Sequence, residues 1–321
     1  MRRVGYAFAG LLIIVGVPLL VAPWFGWGAS PGPAVTVTVV RGASLAMVSR
    51  TLRTVGLVDA PQQFRILARV FGGDNPVQAG TYRLKKGVAW QTYLRAMQQG
   101  DVMRSSLTIP EGLPSIIVAE RLRAEPQLTG PVVIPAEGSV LPETYDFTPG
   151  ETRAAVLARM QTAMERATAT LWASRGARSV VKSPADAIIL ASIVEKETGK
   201  ASERRQVAGV YSNRLAKGMK LDADPTVIYP LTKGKPLGRR IRRSELAADT
   251  GYNTYLKPGL PKGPIANPGR ASIAAVLDPE PTDALYFVAD GSGGHVFAAT
   301  LAEHNANVAK WFALRRQRGE M

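Results

Sequence analysis

No cysteine occurs anywhere in the 321 residues. That excludes a disulfide scaffold, a thiol nucleophile and every metal or haem site that depends on sulfur. Histidine is nearly as scarce, with two in the whole chain, so a zinc site has almost no ligands to draw on. Neither HExxH nor GxxxxGK[ST] is present, which removes zincin and P-loop chemistry. Internal repeats and extended low-complexity tracts are also missing. Acidic residues are few relative to basic ones, 25 against 40, and the net charge of +15 favours an anionic partner or surface. With 46% apolar residues the chain can still bury a real core, so it is neither a disordered tail nor a fibre. Its length suits about two domains at roughly 150 residues each.

Charge is absent altogether from one long stretch. Met1-Arg2-Arg3 is followed by 24 uncharged residues, Val4 to Trp27, rich in Leu, Ile and Val. At about 1.5 Å per residue such a run spans the ~30 Å hydrocarbon core of a bilayer. It is read as a transmembrane helix, with Pro18 and Pro23 tolerated and Trp24 and Trp27 in an interfacial belt. Arg2 and Arg3, with no further basic residue until Arg41, place the N-terminus in the cytoplasm and the remainder outside. A cleaved leader is the competing reading, but the run is long for an h-region and large aromatics crowd the Trp27-Gly28-Ala29-Ser30 site.

Residues 28–34 read as a linker. Val35 to Val40 is β-branched and predicts a strand. Ser44 caps a helix whose Leu45, Val48, Leu52 and Val55 share a face. A second short helix over Pro61 to Phe71, a strand over residues 79–84 and a helix from Trp90 to Gln99 complete a small βααβ unit, residues 35–105. The larger part, 106–314, contains a long helix from about Glu151 to Ser174 and ends in a hairpin followed by a helix from Leu301. Residues 315–321 form a basic tail. The fold class expected is α+β, a small subdomain followed by a larger mixed domain.

The stretch that could carry chemistry starts at Ser183-Pro184-Ala185-Asp186, with Ser at the N-cap, Pro at N1 and Asp at N3. The following Ala187 to Val194 is apolar on every side, so this helix is buried. It runs directly into Glu195-Lys196-Glu197-Thr198. A core helix that ends in carboxylates leaves an acid partly desolvated, which raises its pKa toward the range of a general acid. Glu195 and Glu197 point about 200° apart on a helix, so they are not a facing pair. Spacing alone does not choose between them.

Downstream, Tyr252-Asn253-Thr254-Tyr255 leads into a Pro/Gly-rich segment, Gly259 to Gly269. That composition suits a stiff loop lining a sugar site, or equally a connector packed on the core. Asp290-Gly291-Ser292-Gly293-Gly294, near His295 and His304, superficially suggests a serine hydrolase. Gly and Ser there are what a hairpin turn requires, and a turn is how the segment is read. Arg239-Arg240-Ile241-Arg242-Arg243 is the densest basic run and is read as a solvated face, not a nucleic-acid site.

Several blocks occur in one order along the chain: Leu190 to Thr198, Ala201-Ser202-Glu203-Arg204, Asn213-Arg214-Leu215, Asp224 to Tyr229, Tyr252-Asn253-Thr254-Tyr255, Gly259-Leu260-Pro261 and Tyr286 to Gly291. With Ala79-Gly80-Thr81-Tyr82 and Pro142-Glu143-Thr144-Tyr145, they resemble the YceG-like family of membrane-anchored endolytic murein transglycosylases. The resemblance covers nearly the whole chain. It implies an N-terminal anchor in the inner membrane, a LysM-like subdomain over residues 35–105 and an extracytoplasmic catalytic domain. It also implies cleavage of the MurNAc–GlcNAc bond in glycan strands, with Glu197, the second Glu of the E-K-E-T block, as catalytic acid. Glu195 then becomes a supporting candidate, and Asn213, Thr226, Tyr252, Asn253 and Tyr255 become candidate sugar-binding residues. Partners implied are peptidoglycan strands, the lipid bilayer and peptidoglycan synthases. No metal or organic cofactor is expected, since acid–base glycan cleavage needs none. The rival reading is a non-catalytic wall-binding scaffold anchored in the membrane.

Overall fold

The structure is a computed structural model that describes residues 17–320. Elements follow the order α1 (residues 17–25), β1 (Ala34–Val39), α2 (Leu45–Thr54), α3 (Pro61–Phe71), β2 (Gly80–Lys85) and α4 (Trp90–Gln99). Next come β3 (Ser105–Thr108), α5 (Ser115–Ala124), β4 (Thr144–Phe147), α6 (Arg153–Ala173), α7 (Pro184–Glu197), α8 (Arg204–Ala216) and α9 (Asp224–Thr232). The chain ends with α10 (Arg243–Leu246), α11 (Arg270–Leu277), β5 (Tyr286–Ala289), β6 (His295–Ala298) and α12 (Leu301–Gln317). The architecture is mixed α+β with small sheets: β1 pairs with β2, β3 with β4 and β5 with β6. It divides into two compact units, Met1–Ser105 with Asp146–Glu151, and Ser106–Tyr145 with Thr152–Met321.

In the small unit, β1 and β2 are antiparallel, with Val37 opposite Tyr82. Their inward residues pack on the apolar faces of α2, α3 and α4, where Leu52, Phe64 and Met97 are completely buried. Ser44 caps α2 through the Met47 amide, 3.3 Å away. Gly100 ends α4 at φ +69, a left-handed position that suits glycine.

Most of the apolar run read as a membrane span, residues 4–16, lies outside the described residues. Among the described residues no helix is long and apolar enough to cross a membrane. Trp24 differs from the sequence reading. It is 1% exposed and belongs to the small unit's core, 6.1 Å from the ring of Phe64 and 6.3 Å from that of Phe71. An indole that finds protein rings on its apolar body has no need of a lipid interface. Trp27 is exposed. The 28–34 segment is also tied down, because the Gly32 amide donates to Lys86 O (2.9 Å) and the Lys86 amide to Pro33 O (3.1 Å).

The large unit is organised around α7. Ser183 accepts from the Asp186 amide at 3.1 Å and Pro184 opens the first turn, as the sequence predicts. Ala187, Leu190, Ala191, Ile193 and Val194 are wholly buried against α6, α8, α9 and α11. An apolar helix can be surrounded this way because its backbone groups are already paired internally. Gly209 in α8 allows the backbone at Glu280 to approach so closely that an added Cβ would lie 2.7 Å from its carbonyl oxygen.

The Pro/Gly segment proves to be a connector. Residues 265–269 are buried. The Ile265 amide donates to Ser192 Oγ (3.0 Å), while Asn267 binds Leu113 O, Ser115 Oγ, Glu137 Oε1 and the Val140 amide. In the terminal hairpin, Asp290 accepts from the Ser292 amide and hydroxyl, and His295 Nδ1 pairs instead with Glu203 Oε2 at 2.8 Å. Ser292 is thus a turn residue. In the basic run, the Arg239 guanidinium pairs with both carboxylate oxygens of Glu245 on an exposed surface.

Trp24→Ala is expected to destabilise the small unit by about 3–5 kcal/mol. Urea denaturation followed by tryptophan fluorescence measures this, and an unchanged midpoint would show that Trp24 is not a core residue.

Candidate active site

Two carboxylates leave the end of α7 on opposite sides and meet different surroundings. Glu195 turns toward the connector. Its Oε2 accepts from the Gly269 amide at 2.9 Å, and Arg204 Nη2 lies 4.0 Å from Oε1. It is a clamp between α7 and the start of α11. Glu197 turns the other way, into a cleft of about 550 Å³ lined by residues that include Tyr211, Arg214, Asp222, Asp224, Tyr255, Tyr286, Phe287 and His304.

Glu197 Oε1 is closed off from solvent and has no hydrogen-bond partner. The carboxyl pKa is raised to about 7, first by desolvation and then by the negative charge of Asp224, with Arg214 opposing. Removing water from an anion without replacing its hydrogen bonds favours the neutral acid. The group is therefore poised to give up and retake a proton near neutral pH.

Arg214, on α8, is held rather than free. Nε donates to Leu285 O (2.7 Å), and Nη1 donates to Leu221 O (2.8 Å) and Asp222 Oδ2 (3.2 Å). The guanidinium also sits over the Tyr286 ring at 5.2 Å. This ties the 221–222 loop to the start of β5. Asp222 adopts φ +50 there, an uncommon left-handed conformation for a residue other than glycine. The same Tyr286 ring stacks on His304 of α12, with centroids 5.2 Å apart and planes 24° apart.

Tyr255 also lines the cleft, and its hydroxyl donates to Asp224 Oδ1 at 2.7 Å. The residues around it explain how it is placed. Asn253 Nδ2 donates to Leu246 O (2.9 Å) and Ala248 O (3.0 Å), while Oδ1 accepts from the Tyr255 amide (3.0 Å). Thr226 is fully buried and shares a 2.9 Å hydrogen bond with Thr254, whose Oγ1 also accepts from the Ala223 amide. These contacts pin the 253–255 turn against the first turn of α9.

Of the seven residues singled out by sequence, Glu197 and Tyr255 are brought together in the cleft. The other five are placed elsewhere. Asn213 spends its amide on Thr282 O (2.7 Å) and Ala284 O (3.1 Å). Thr226 and Asn253 hold backbone, as above, and Glu195 clamps the connector. Tyr252 packs 4.9 Å from Tyr229, under Lys262 Nζ at 4.8 Å. Sequence reasoning missed Asp224, Asp222, Tyr211, Arg214, Tyr286, Phe287 and His304 as lining residues. Asp224 heads a block already conspicuous in the sequence, but nothing local reveals that it faces Glu197. Among the described residues, no group of three or more His, Asp or Glu could hold a metal ion.

A mixed α+β unit whose buried helix delivers one desolvated carboxyl to an open cleft is built for proton transfer to a polar substrate. The YceG-like family model matches residues 37–310, and the chain belongs to that family. It is 27% identical over 316 residues to a Bacillus subtilis protein named endolytic murein transglycosylase, covering 88% of this chain and 86% of that one. A Streptococcus pneumoniae protein of the same name is 28% identical over 325 residues, covering 86% of this chain; the chain spans 58% of that relative's length. The crystal structure of a YceG-like protein from Listeria monocytogenes superposes with a TM-score of 0.53 at 28% identity, over 86% of this chain and 99% of that one.

The raised pKa of Glu197 has a stability consequence. Between about pH 4.5 and 7 the folded protein holds a proton that the unfolded chain has lost, so this group's contribution to stability falls as pH rises. Relative to wild type, Glu197→Gln should gain about 2–3 kcal/mol between pH 4 and pH 8. Chemical denaturation at the two pH values checks it, and a pH-independent difference would contradict the desolvated state of the carboxyl.

Proposed function

We propose that the chain is a membrane-anchored endolytic murein transglycosylase that cleaves the β-1,4 bond between MurNAc and GlcNAc within glycan strands. The observation that carries this reading is the carboxyl of Glu197, held near neutral pKa in the wall of an open, aromatic-lined cleft. The names of the Bacillus and Streptococcus relatives support the substrate and reaction.

Ordinary glycosidases use two carboxylates, one to protonate the leaving oxygen and one to attack the sugar or activate water. Here the nucleophile is the C6 hydroxyl of the muramic acid, already tethered to the reacting ring. A well-oriented intramolecular nucleophile reaches effective molarities on the order of 10⁵ M or more, so no second protein nucleophile is required. Glu197 donates its proton to the glycosidic oxygen as the C1–O4 bond breaks. The resulting carboxylate then takes the C6 hydroxyl proton as O6 closes on C1, leaving a 1,6-anhydro end and restoring the acid. Tyr255, Tyr286 and Phe287 contribute aromatic surface to the cleft that would receive the sugars. Cutting within nascent strands would end their elongation.

The uncharged run that follows Arg2 and Arg3 supports anchoring in the inner membrane with the catalytic unit outside the cytoplasm. A chain of charge +15 approaches the anionic wall and lipid headgroups without repulsion.

Purified glycan strands digested with wild type should yield 1,6-anhydroMurNAc ends, and Glu197→Gln should lower that yield by about 10²–10⁴-fold. Because the acid must be protonated, wild-type kcat/KM should fall above about pH 7. Plain reducing ends would make the enzyme a hydrolase. Strand binding without bond cleavage would make the chain a wall-binding scaffold.

A further inference from the structure

Among the described residues, Asp224 is the cleft carboxylate that has neither a cationic partner nor the role of proton carrier. Asp222 is tied to Arg214 at 3.2 Å, and Glu197 is the proton carrier. Asp224 has no ion pair among the described residues; its partner is the neutral hydroxyl of Tyr255 at 2.7 Å. A neutral donor fixes the direction of a carboxylate while leaving its negative charge intact. The position is preorganised from both sides. Asp224 opens α9, and the turn bearing Tyr255 is locked to that helix by the Thr226–Thr254 pair and by Asn253.

The proposed reaction passes through a sugar ring that carries positive charge at C1 and the ring oxygen once the C1–O4 bonding pair has left. Glu197 becomes an anion only as its proton passes to O4, so early in bond breaking it offers the ring little negative charge. We propose that Asp224 stabilises the oxocarbenium-like ring as an electrostatic partner that forms no bond to it, with Tyr255 as the residue that positions Asp224. This rests on the reading of the cleft as a glycan-cleaving site. The electron balance is that of the scheme above: the bonding pair leaves with O4, which takes the Glu197 proton, and O6 supplies the pair that closes the anhydro ring. Asp224 begins and ends as a carboxylate. A fixed anion aimed at charge that develops in the transition state lowers the barrier without reorganising.

The same anion faces Glu197 and helps keep it protonated. The other charged or titratable groups around Glu197 are Tyr211 and Arg214 on α8, Asp222 in the loop before α9, Tyr255, Tyr286 on β5, and His304 on α12.

The test uses full-length protein on purified glycan strands, with wild type, Asp224→Asn, Asp224→Glu, Tyr255→Phe and the Asp224→Asn/Tyr255→Phe double variant. Asp224→Asn should reduce kcat by about 10²-fold with KM within about threefold, and should move the alkaline limb of the rate profile to lower pH by about half a pH unit. Asp224→Glu, which keeps the charge, should restore the position of that limb. Tyr255→Phe should cost about tenfold alone and nothing further in the double variant, because it acts through Asp224. If Asp224→Asn does not fold, Asp224→Ser carries the same comparison. An unchanged kcat and limb in the neutral variant, or additive losses in the double variant, overturns the proposal while leaving the proposed activity intact. A covalent sugar adduct on Asp224 would also overturn it, replacing the electrostatic role with a nucleophilic one. Absence of anhydro ends from wild type would instead defeat the reading of the cleft.

Discussion

An unpaired carboxyl oxygen at the end of an oily helix is the constraint on which the site depends. The core can surround α7 because its side chains from Ala187 to Val194 are apolar, with Ser192 used to hold the Ile265 amide. Continuing that helix for one more turn brings Glu197 to a place where Oε1 is closed off from solvent and meets no donor. Such a group destabilises its ionised form, and the surrounding fold must absorb the cost. The packing of α6, α8, α9 and α11 against α7 supplies the rigidity that keeps the carboxyl from escaping to solvent.

The cleft is assembled from the edges of elements rather than from one motif. Arg214 welds the 221–222 loop to the β5 approach, Asn213 does the same for residues 282–284, and Asn253 shapes the turn that offers Tyr255. Backbone carbonyls take up most of the side-chain donors that polar composition suggests for sugar binding. What lines the cleft is Glu197, two aspartates, an Arg214 already committed to backbone carbonyls, His304 and aromatic rings.

Local signals made α7 legible from residues alone, since Ser183, Pro184 and Asp186 mark its start and the unbroken apolar run marks its burial. The divergence of Glu195 and Glu197 also follows from helical geometry. Choosing Glu197 took the family resemblance, because the difference between a clamp to Gly269 and an orphaned oxygen is made by neighbours distant in sequence. The same limit explains Asn213, Thr226 and Asn253. Amides and hydroxyls in a recurring block look equally suited to a sugar or to a carbonyl, and only the fold shows that a carbonyl already occupies them. Trp24 was misplaced for a related reason: an amphipathic ring beside a long apolar run satisfies the pattern of a lipid interface, yet Phe64 and Phe71 meet it first.

The anchoring of Trp24, together with the Gly32 and Pro33 contacts to Lys86, has a mechanical outcome. Residues 17–33 are fastened to the small unit at both their helical and extended parts. These contacts carry any force applied at residue 17 straight into the small unit's core, at Phe64 and Phe71.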